Sequence, residues 1–268
     1  MIYHSPTYSS ILFPPKNLKV VLTIHDLMYR FVENYFNSIN IINKILVYIF
    51  DVFVRINCFF ATKIITISKT SHKDLSFLVK KEVNVVLHDC EYLSDGISDD
   101  KSPSSFLHPY LLYVGNLRKQ KNIDLLVRAF KNSSKKNFQK LLIVSQESAD
   151  FEDEDIIMLN GIDSEALVTL YRNAESSILP SHYEGFGLPV IESLSYQTNI
   201  ICSNAGSLSE FSEKYVVFFE SNSLKSLEKI LDNWTEYKKN LDDVDTYLTL
   251  FSRNQFRLNM DQIISELG

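Results

Sequence analysis

Short apolar segments rich in β-branched residues alternate along this 268-residue chain with segments of helical periodicity. Continuous apolar runs of this kind are typical of parallel strands that are covered on both faces. Their alternation with helices predicts a doubly wound α/β fold. The predicted strands are residues 19–24, 63–67, 83–87, 110–114, 140–144, 156–159, 177–179 and 199–202, and the predicted helices are residues 69–80, 122–131, 164–173, 188–196 and 224–237.

A stretch rich in Ser, Asp and Pro at residues 94–109 interrupts the apolar periodicity. It predicts a boundary between two open α/β sheets that face a cleft, and ligands in such folds bind beyond the carboxyl ends of the strands. We expect one domain at residues 1–105 and a second at 106–250. A C-terminal helix at 251–268 is expected to pack back on the first domain.

Residues 41–60 read IINKILVYIFDVFVRINCFF and are long enough to span a bilayer. However, Lys44, Asp51 and Arg55 would each be costly at bilayer depth. Because apolar residues recur here at helical spacing, the favoured interpretation is a helix packed on a sheet. A helix lying in a membrane surface and a helix spanning the membrane remain open as alternatives.

Composition narrows the classes of partner. The net charge is -6 and no dense run of Lys or Arg occurs, so nucleic acid is not an expected partner. Cys58, Cys90 and Cys202 are widely spaced, which favours a reducing compartment over a zinc site or a disulfide framework. The first residues lack the features of a signal peptide. Acidic runs at 152–155 and 243–245 indicate solvated surface, and we expect neither a metal nor a cofactor.

Residues 179–194 have the pattern of a strand end, a glycine loop and a helix start. Gly185 and Gly187 let the backbone approach a ligand closely, and free N–H groups at a helix start favour anionic oxygens. Glu184 and Glu192 would repel a phosphate but would accept hydrogen bonds from hydroxyl groups. A nucleotide sugar carries both hydroxyls and a diphosphate. The alternative is that Glu192 complements the helix N-terminus and Glu184 is solvated.

The segment EGFGLPVIE, from Glu184 to Glu192, resembles the complete EX7E motif of family 4 glycosyltransferases, which are retaining enzymes with the GT-B fold. The resemblance implies that Glu184 contacts the donor sugar near the reacting carbon and that Glu192 binds the ribose hydroxyls. It also implies that Phe186, Gly187 and Leu188 present backbone amides to the sugar and the phosphate.

Residues 113–130, YVGNLRKQKNIDLLVRAF, resemble the strand–loop–helix of the same family, with a turn at Gly115. The resemblance implies that Lys121 binds the donor diphosphate and stabilises the leaving group. Many relatives place an arginine beside the glycine, whereas this chain has Asn116. We expect Gly115 and Asn116 to bind the donor. Arg118 is the candidate substitute at the donor, and a solvated loop is its alternative.

Two further segments resemble the family. Residues 20–27, VVLTIHDL, are similar to a strand ending in His–Asp, which implies that His25 faces the donor sugar. Asp26 would then orient the histidine or cap the next turn. Residues 204–210, NAGSLSE, are similar to a small loop before a short helix, which implies that Ser207 lines the phosphate pocket. A helix cap is the alternative for this serine.

The resemblance covers nearly the whole chain and is strongest between residues 110 and 210. Typical relatives have a further strand, a glycine-rich loop and more α/β units before anything similar to residues 2–6. We therefore expect a GT-B fold of two Rossmann-like domains: an incomplete N-terminal acceptor-side domain and a nucleotide-sugar-binding domain. Three alternatives remain: the acceptor site is minimal, another chain completes it, or the gene is truncated.

The resemblance implies a hexosyltransferase that moves a sugar from a nucleotide diphosphate donor to a hydroxyl of a growing surface glycan or lipid-linked oligosaccharide, with retention. Bacterial lipopolysaccharide or polysaccharide biosynthesis is the expected setting. The location would be cytoplasmic, with loose contact of residues 41–60 at the inner face of the cell membrane. Alternatives are a non-catalytic nucleotide-sugar-binding subunit that needs a partner chain, and a phosphorylase or epimerase on the same fold.

Overall fold

A computed structural model describes residues 1–33, 35–36, 39–90, 109–134 and 136–267. The chain divides into two compact units. The N-terminal unit contains Met1–Asp89, Tyr183–Phe186 and Leu250–Gly268, and the C-terminal unit contains Cys90–His182 and Gly187–Thr249. The predicted boundary stretch, except for its last residue, lies outside the described residues, and so does the predicted division after residue 105.

Parallel strands and helices alternate in both units. The strands are β1 (Ile2–Ser5), β2 (Lys19–Ile24), β3 (Lys63–Thr66), β4 (Val83–Val85), β5 (Tyr110–Val114), β6 (Lys140–Val144), β7 (Ile156–Leu159), β8 (Ser176–Leu179), β9 (Ile200–Ser203) and β10 (Val216–Phe219). The helices are α1 (Met28–Phe31), α2 (Asn40–Phe60), α3 (Lys69–Ser76), α4 (Ile123–Asn132), α5 (Ser164–Asn173), α6 (Leu188–Ser195), α7 (Leu224–Asp232), α8 (Trp234–Tyr237), α9 (Val244–Leu248) and α10 (Arg253–Ser265).

The N-terminal unit is built on a parallel sheet in the order β1-β2-β3-β4. Strands β2 and β3 are continuous runs of β-branched residues, and both of their faces are covered. On one face Val20 and Ile64 belong to the core that includes residues of α2. On the other face Val21 packs with Met260 of α10. Cover on both faces explains why these strands are apolar throughout.

The C-terminal unit contains a second parallel sheet, in the order β10-β9-β8-β5-β6-β7. Helices α4 and α7 contribute to the core on one face, where Phe130 and Leu227 are fully buried. Helix α5 covers the other face, with Leu170 packing in the cluster of Leu112 and Leu142. The two sheets confirm the predicted doubly wound α/β fold with two Rossmann-like parts. That the N-terminal part is incomplete stays a prediction.

The predicted strands and helices are confirmed, with small differences at their ends. Strands β1 and β10 were not predicted, and the helix predicted at 224–237 is divided into α7 and α8. The Ser68 hydroxyl caps α3, because it accepts a hydrogen bond from the Ser71 N–H at 3.0 Å.

Helix α2 is confirmed at residues 40–60, and one of its sides packs on the N-terminal sheet. The Asp51 carboxylate on this helix accepts a hydrogen bond from the Tyr29 hydroxyl at 2.8 Å. Within the described ranges, no helix is both long enough and apolar enough to cross a bilayer. The inner side of α2 therefore agrees with the favoured interpretation, a helix packed on a sheet. Its outer side is exposed to solvent.

Candidate functional site

The strand order of the C-terminal sheet creates a topological switch point between β5 and β8. From β5 the chain continues outward through β6 and β7, and it then returns to β8 and continues the opposite way through β9 and β10. Ligands of open α/β sheets bind outside the carboxyl ends of the strands at such a point. Both predicted donor-binding segments follow these two strands: residues 115–121 come after β5, and the glycine loop comes after β8.

An open cavity of about 750 Å³ lies at the carboxyl ends of β5, β6 and β7. Gly115, Asn116 and Arg118, which were predicted to bind the donor, line this cavity. Its other lining residues were not proposed for a site from the sequence; they are Val114, Val144, Ser145, Gln146, Glu147, Gly161 and Ile162. The volume and the mixed lining suit a small organic ligand with polar groups.

Hydrogen bonds hold the loop after β6 in place as one wall of this cavity. The Glu147 carboxylate accepts from the Leu117 N–H at 2.7 Å, which joins the loops after β6 and β5. The Asn160 amide donates to the Ser145 and Glu147 carbonyls, each at 2.8 Å, which joins the loops after β7 and β6. Contacts between side chains and backbone therefore connect the three loops around this cavity.

Lys121 ends a single 3₁₀ turn, Lys119–Lys121, that precedes α4. Asn122 follows in the left-handed region at φ 56°, a conformation that asparagine tolerates better than most residues. The Gln120 carbonyl in this turn accepts a hydrogen bond from the His182 N–H at 2.7 Å. The Lys121 turn is thus joined to the segment that follows β8. Among the described residues, Arg118 lines the cavity and Lys121 does not.

Glu192 lies in the second turn of α6, and its carboxylate accepts a hydrogen bond from the Tyr171 hydroxyl at 2.9 Å. Burial raises the pKa of Glu192, and the hydrogen bond from Tyr171 opposes that rise. Tyr171 comes from α5 and stacks on Tyr196 with ring centroids 5.6 Å apart. The neutral phenol of Tyr171 therefore positions the Glu192 carboxylate and occupies one of its acceptor sites, so that the others can accept hydrogen bonds from a ligand.

Helix α6 begins at a glycine that no other residue could replace without strain. Gly187 has φ 121°, and a Cβ atom there would lie 2.8 Å from Leu208 Cδ2 and 3.0 Å from Phe211 Cε2. Leu188 and Pro189 belong to the first turn, where proline is favoured because its missing N–H has no partner to lose. Ser207 is buried in a 3₁₀ segment, Gly206–Glu210, that also contains Leu208, so the start of α6 lies next to this segment.

Tyr183 is held within the N-terminal unit by three contacts. Its hydroxyl donates to Asp74 Oδ2 at 2.8 Å and lies 3.5 Å from the Leu27 N–H. Its ring stacks on Phe31 with centroids 5.2 Å apart and planes 11° apart. Burial raises the pKa of Asp74, and the hydrogen bond from Tyr183 opposes the rise. The residue before Glu184 is thereby anchored.

Gly185 and His25 come together around the Ser71 hydroxyl. The hydroxyl lies 2.7 Å from the His25 carbonyl and 3.4 Å from the Gly185 carbonyl, and it donates to both. A Cβ atom on Gly185 would lie 2.9 Å from the Asp26 Cβ and Oδ2 atoms, so a side chain there would have to displace Asp26. The ring of His25 places Nε2 2.8 Å from the Pro6 carbonyl.

Asp26 caps the following turn, which is one of the two roles expected for it. Its Oδ1 atom accepts from the Met28 N–H and from the Tyr8 hydroxyl, each at 2.8 Å.

Glu184 is only 8% exposed, so it is not a solvated surface residue. Phe186 lies between the His88 and Phe251 rings, with centroids 6.2 Å and 5.9 Å away.

The residues predicted from the EX7E segment are divided between the two units. Glu184, Gly185 and Phe186 belong to the N-terminal unit with His25, whereas Gly187 and the rest of the segment to Glu192 belong to the C-terminal unit. In chemical terms, the C-terminal unit offers a cavity, backbone amides at a helix start, a lysine and a carboxylate. The N-terminal unit offers a carboxylate and a histidine at the end of a strand.

Comparison with known proteins identifies a family. The family model described as glycosyl transferases group 1 matches residues 99–248, more than half of the chain. An uncharacterized glycosyltransferase of Methanocaldococcus jannaschii is 30% identical over 129 residues, which is 44% of this chain and 31% of the relative. The O-antigen chain mannosyltransferase B of Escherichia coli is 31% identical over 114 residues, 38% of this chain and 30% of the relative. The matches span about a third of these two relatives.

Solved structures share the fold along nearly the whole chain. Sucrose-phosphate synthase of Thermosynechococcus elongatus superposes with a TM-score of 0.70 at 21% identity, covering 94% of this chain and 68% of that one. The Anabaena protein HepE, solved in complex with UDP and glucose, superposes with a TM-score of 0.70 at 13% identity, covering 93% of this chain and 72% of that one. These likenesses confirm the GT-B fold class.

Proposed function

Because the chain belongs to the glycosyl transferases group 1 family, we propose that it transfers a sugar from a nucleotide diphosphate donor to a hydroxyl group of a growing glycan. One observation carries the proposal. The two predicted donor-binding segments follow the carboxyl ends of β5 and β8, on either side of the switch point of the C-terminal sheet. In this scheme residues 106–250 are the donor-binding domain and residues 1–105 the acceptor-side domain, with 251–268 packing back on the latter.

In the C-terminal unit the donor is bound by its nucleotide and its phosphates. The cavity lined by Gly115, Asn116 and Arg118 receives the nucleoside, and Glu192 accepts hydrogen bonds from the ribose hydroxyls. The Lys121 ammonium and the first N–H groups of α6 stabilise the negative charge that develops on the departing diphosphate. Ser207 adds a hydroxyl next to the helix start.

The proposal assigns the positioning of the sugar to His25 and to residues of the EX7E segment. Glu184 and His25 hold the sugar near the reacting carbon, while Gly185, Phe186, Gly187 and Leu188 supply close backbone. Departure of the diphosphate leaves an oxocarbenium-like centre. The acceptor hydroxyl oxygen bonds to this centre, and its proton passes to the departing diphosphate. The proposal places the chain among family 4 enzymes, with retention at the anomeric carbon.

The acceptor proposed is a lipid-linked oligosaccharide or another growing surface glycan, in the cytoplasm at the inner face of the cell membrane. The named function of the Escherichia coli relative, an O-antigen chain mannosyltransferase, supports this class of acceptor and makes mannose a first choice of sugar. The HepE complex with UDP and glucose supports a nucleotide sugar as the donor. No metal or other cofactor has a step in this mechanism.

A panel of UDP-, GDP- and dTDP-sugars, scored by thermal shift, tests the donor assignment. A donor at about 100 times its dissociation constant stabilises the native state by about 2.7 kcal/mol, which raises the melting temperature. The anomeric configuration of the product, measured by NMR on the best donor, tests retention. If no nucleotide sugar changes the melting temperature at any concentration, the proposal is refuted.

A partner requirement is tested with the same donor. Transfer by the purified chain alone would show that its acceptor site is sufficient. Transfer only after addition of neighbouring gene products would make it a nucleotide-sugar-binding subunit of a larger enzyme. Consumption of free phosphate would instead indicate a phosphorylase, and the transferase proposal would then be abandoned.

A further inference from the structure

Helix α2 has an apolar face that the N-terminal unit leaves exposed. With 100° between successive residues, buried Val54 and Cys58 define its inner side. Six apolar residues point to the opposite side, and we call them the outer face of α2. They are Ile41, Ile45, Ile49, Val52, Ile56 and Phe59. All six are exposed, with 56% exposure for Ile49 and 76% for Phe59.

The outer face is continuous along the helix. A helix of 21 residues is about 31 Å long, and the six residues are distributed over its whole length. Beyond its C-terminal end the apolar surface continues onto Phe13, which is 78% exposed and packs against Phe60 with ring centroids 4.6 Å apart. Surface helices of globular proteins normally carry polar residues on this side, and contiguous exposed apolar surface indicates an interaction site.

The charges on α2 are arranged beside the outer face. Lys44 and Arg55 are exposed and lie on the same edge of it, 20° apart around the helix axis on the ideal geometry. The acid of this helix, Asp51, is turned toward the protein, where it is bonded to Tyr29 and lies 3.6 Å from the Arg30 guanidinium. The exposed edge of the outer face is therefore cationic.

The N-terminal part of the chain around α2 also has a net positive charge. Residues 1–89 contain ten Lys and Arg against six Asp and Glu, a net charge of +4, although the whole chain has a net charge of -6. The remaining residues therefore carry a net charge of -10. Basic residues near an apolar helix face strengthen its attraction to anionic lipid headgroups.

We propose that the outer face of α2 docks on an anionic lipid surface, with its apolar residues at the acyl boundary and Lys44 and Arg55 among the headgroups. A second copy of the chain is a poorer occupant, because pairing two outer faces would bring four cations together while Asp51 is already bonded within its own unit. The biological role of this docking rests on the lipid-linked acceptor proposed above. Docking would hold the acceptor-side domain at the membrane surface, where the glycan of a lipid-linked acceptor is located.

Vesicle co-sedimentation of the full chain tests the inference. We expect binding to vesicles of phosphatidylcholine mixed with phosphatidylglycerol, weaker binding to phosphatidylcholine alone, and loss of the difference at high salt. Ile49→Asp should lower the affinity for the mixed vesicles by at least about tenfold, since it places a charge in the apolar interface. The matched control is Leu258→Asp on α10, which changes a 63% exposed leucine of the same unit and should bind as the unchanged protein does.

A second variant does not depend on the helix tolerating an aspartate. Lys44→Gln with Arg55→Gln keeps the apolar surface and should remove most of the preference for the mixed vesicles over phosphatidylcholine alone. Equal binding of both vesicle types, equal binding by Ile49→Asp, or a dimer in sedimentation velocity that Ile49→Asp dissociates would each overturn the inference. Thermal shift with the donor panel separates the two proposals, because vesicle binding without any donor response would leave docking standing and refute the transferase.

Discussion

Replacing Tyr183 by phenylalanine removes one hydroxyl and leaves the rest of the anchor before Glu184 in place. The aromatic ring and its stacking on Phe31 are kept, whereas the hydrogen bond of 2.8 Å to Asp74 is lost. The Asp74 side chain is buried, so its carboxylate loses a donor without full access to water. The Leu27 N–H, 3.5 Å from the hydroxyl, loses an acceptor as well.

The cost follows from the unsatisfied groups. A buried polar group that loses its partner destabilises a protein by about 1–3 kcal/mol, and for a chain of this size each kcal/mol lowers the melting temperature by about 2–4 °C. The cost depends on pH. Burial already raises the pKa of Asp74, and loss of the Tyr183 hydrogen bond raises it further.

A carboxyl group with a raised pKa binds its proton in the folded state at pH values where the unfolded chain has released it. Folding stability therefore falls as pH rises from the ordinary carboxyl pKa to the raised one, and the loss is complete above the raised value. We expect the difference in melting temperature between the unchanged protein and Tyr183→Phe to be largest near neutral pH. It should shrink on acidification.

Thermal unfolding across a pH series measures this difference, and Tyr48→Phe, at an exposed position of the same unit, is the control. In an Asp74→Asn background the tyrosine change should cost less and should lose its pH dependence. Tyr183→Phe should also lower the transfer rate, because Tyr183 anchors the backbone next to Glu184, which is proposed to contact the sugar. Donor affinity should stay unchanged. A melting temperature equal to that of Tyr48→Phe at every pH would show that the bond to Asp74 contributes nothing.

Three further predictions concern the EX7E segment. Glu192→Ala should weaken donor affinity, whereas Glu184→Ala should mainly slow transfer; calorimetry and initial rates on both variants measure the difference, and unchanged activity in both would contradict the roles. Gly187→Ala should lower stability by more than about 1 kcal/mol, because it forces a positive φ and a contact with Leu208, and thermal unfolding measures the loss. Tyr171→Phe should raise the pKa of Glu192 further, so that donor affinity falls at a higher pH on acidification; a pH series of donor dissociation constants that matches the unchanged protein would contradict this.

Hydrophobic patterns predicted most of the fold because parallel strands covered on both faces must be apolar throughout. The strands β1 and β10 were missed for different reasons. Strand β1 is four residues long and mostly exposed, and its His4 and Ser5 give no apolar run. Strand β10, VVFF, is as apolar as the others, but it follows β9 closely and the polar segment between them has no amphipathic helical periodicity. A short 3₁₀ segment makes that connection.

Candidate site residues could be proposed from the sequence where one local motif would carry the chemistry, but not where two distant segments come together at the candidate site. The rule that ligands bind at the carboxyl ends of strands would have identified residues 145–147, which follow β6 directly. Tyr171 offered no such signal, because a tyrosine on an amphipathic helix normally indicates core. Periodicity likewise predicted helix α2 but not the exposure of its outer face, which depends on how much surface the sheet offers it.

The hydrogen-bond and ion-pair partners of the acidic side chains differ between the surface and the candidate site. Asp155 and Asp243, in the acidic runs interpreted as solvated surface, pair with Lys140 and Lys214. Glu192 instead accepts a hydrogen bond from a neutral tyrosine. A lysine or arginine there would neutralise the carboxylate and, if bidentate, would occupy both oxygens, whereas one phenol leaves most of its roughly four acceptor sites open. A half-buried carboxylate that retains its acceptor sites is suited to binding the paired hydroxyls of a ribose, and that capacity distinguishes Glu192 from the acids of the surface.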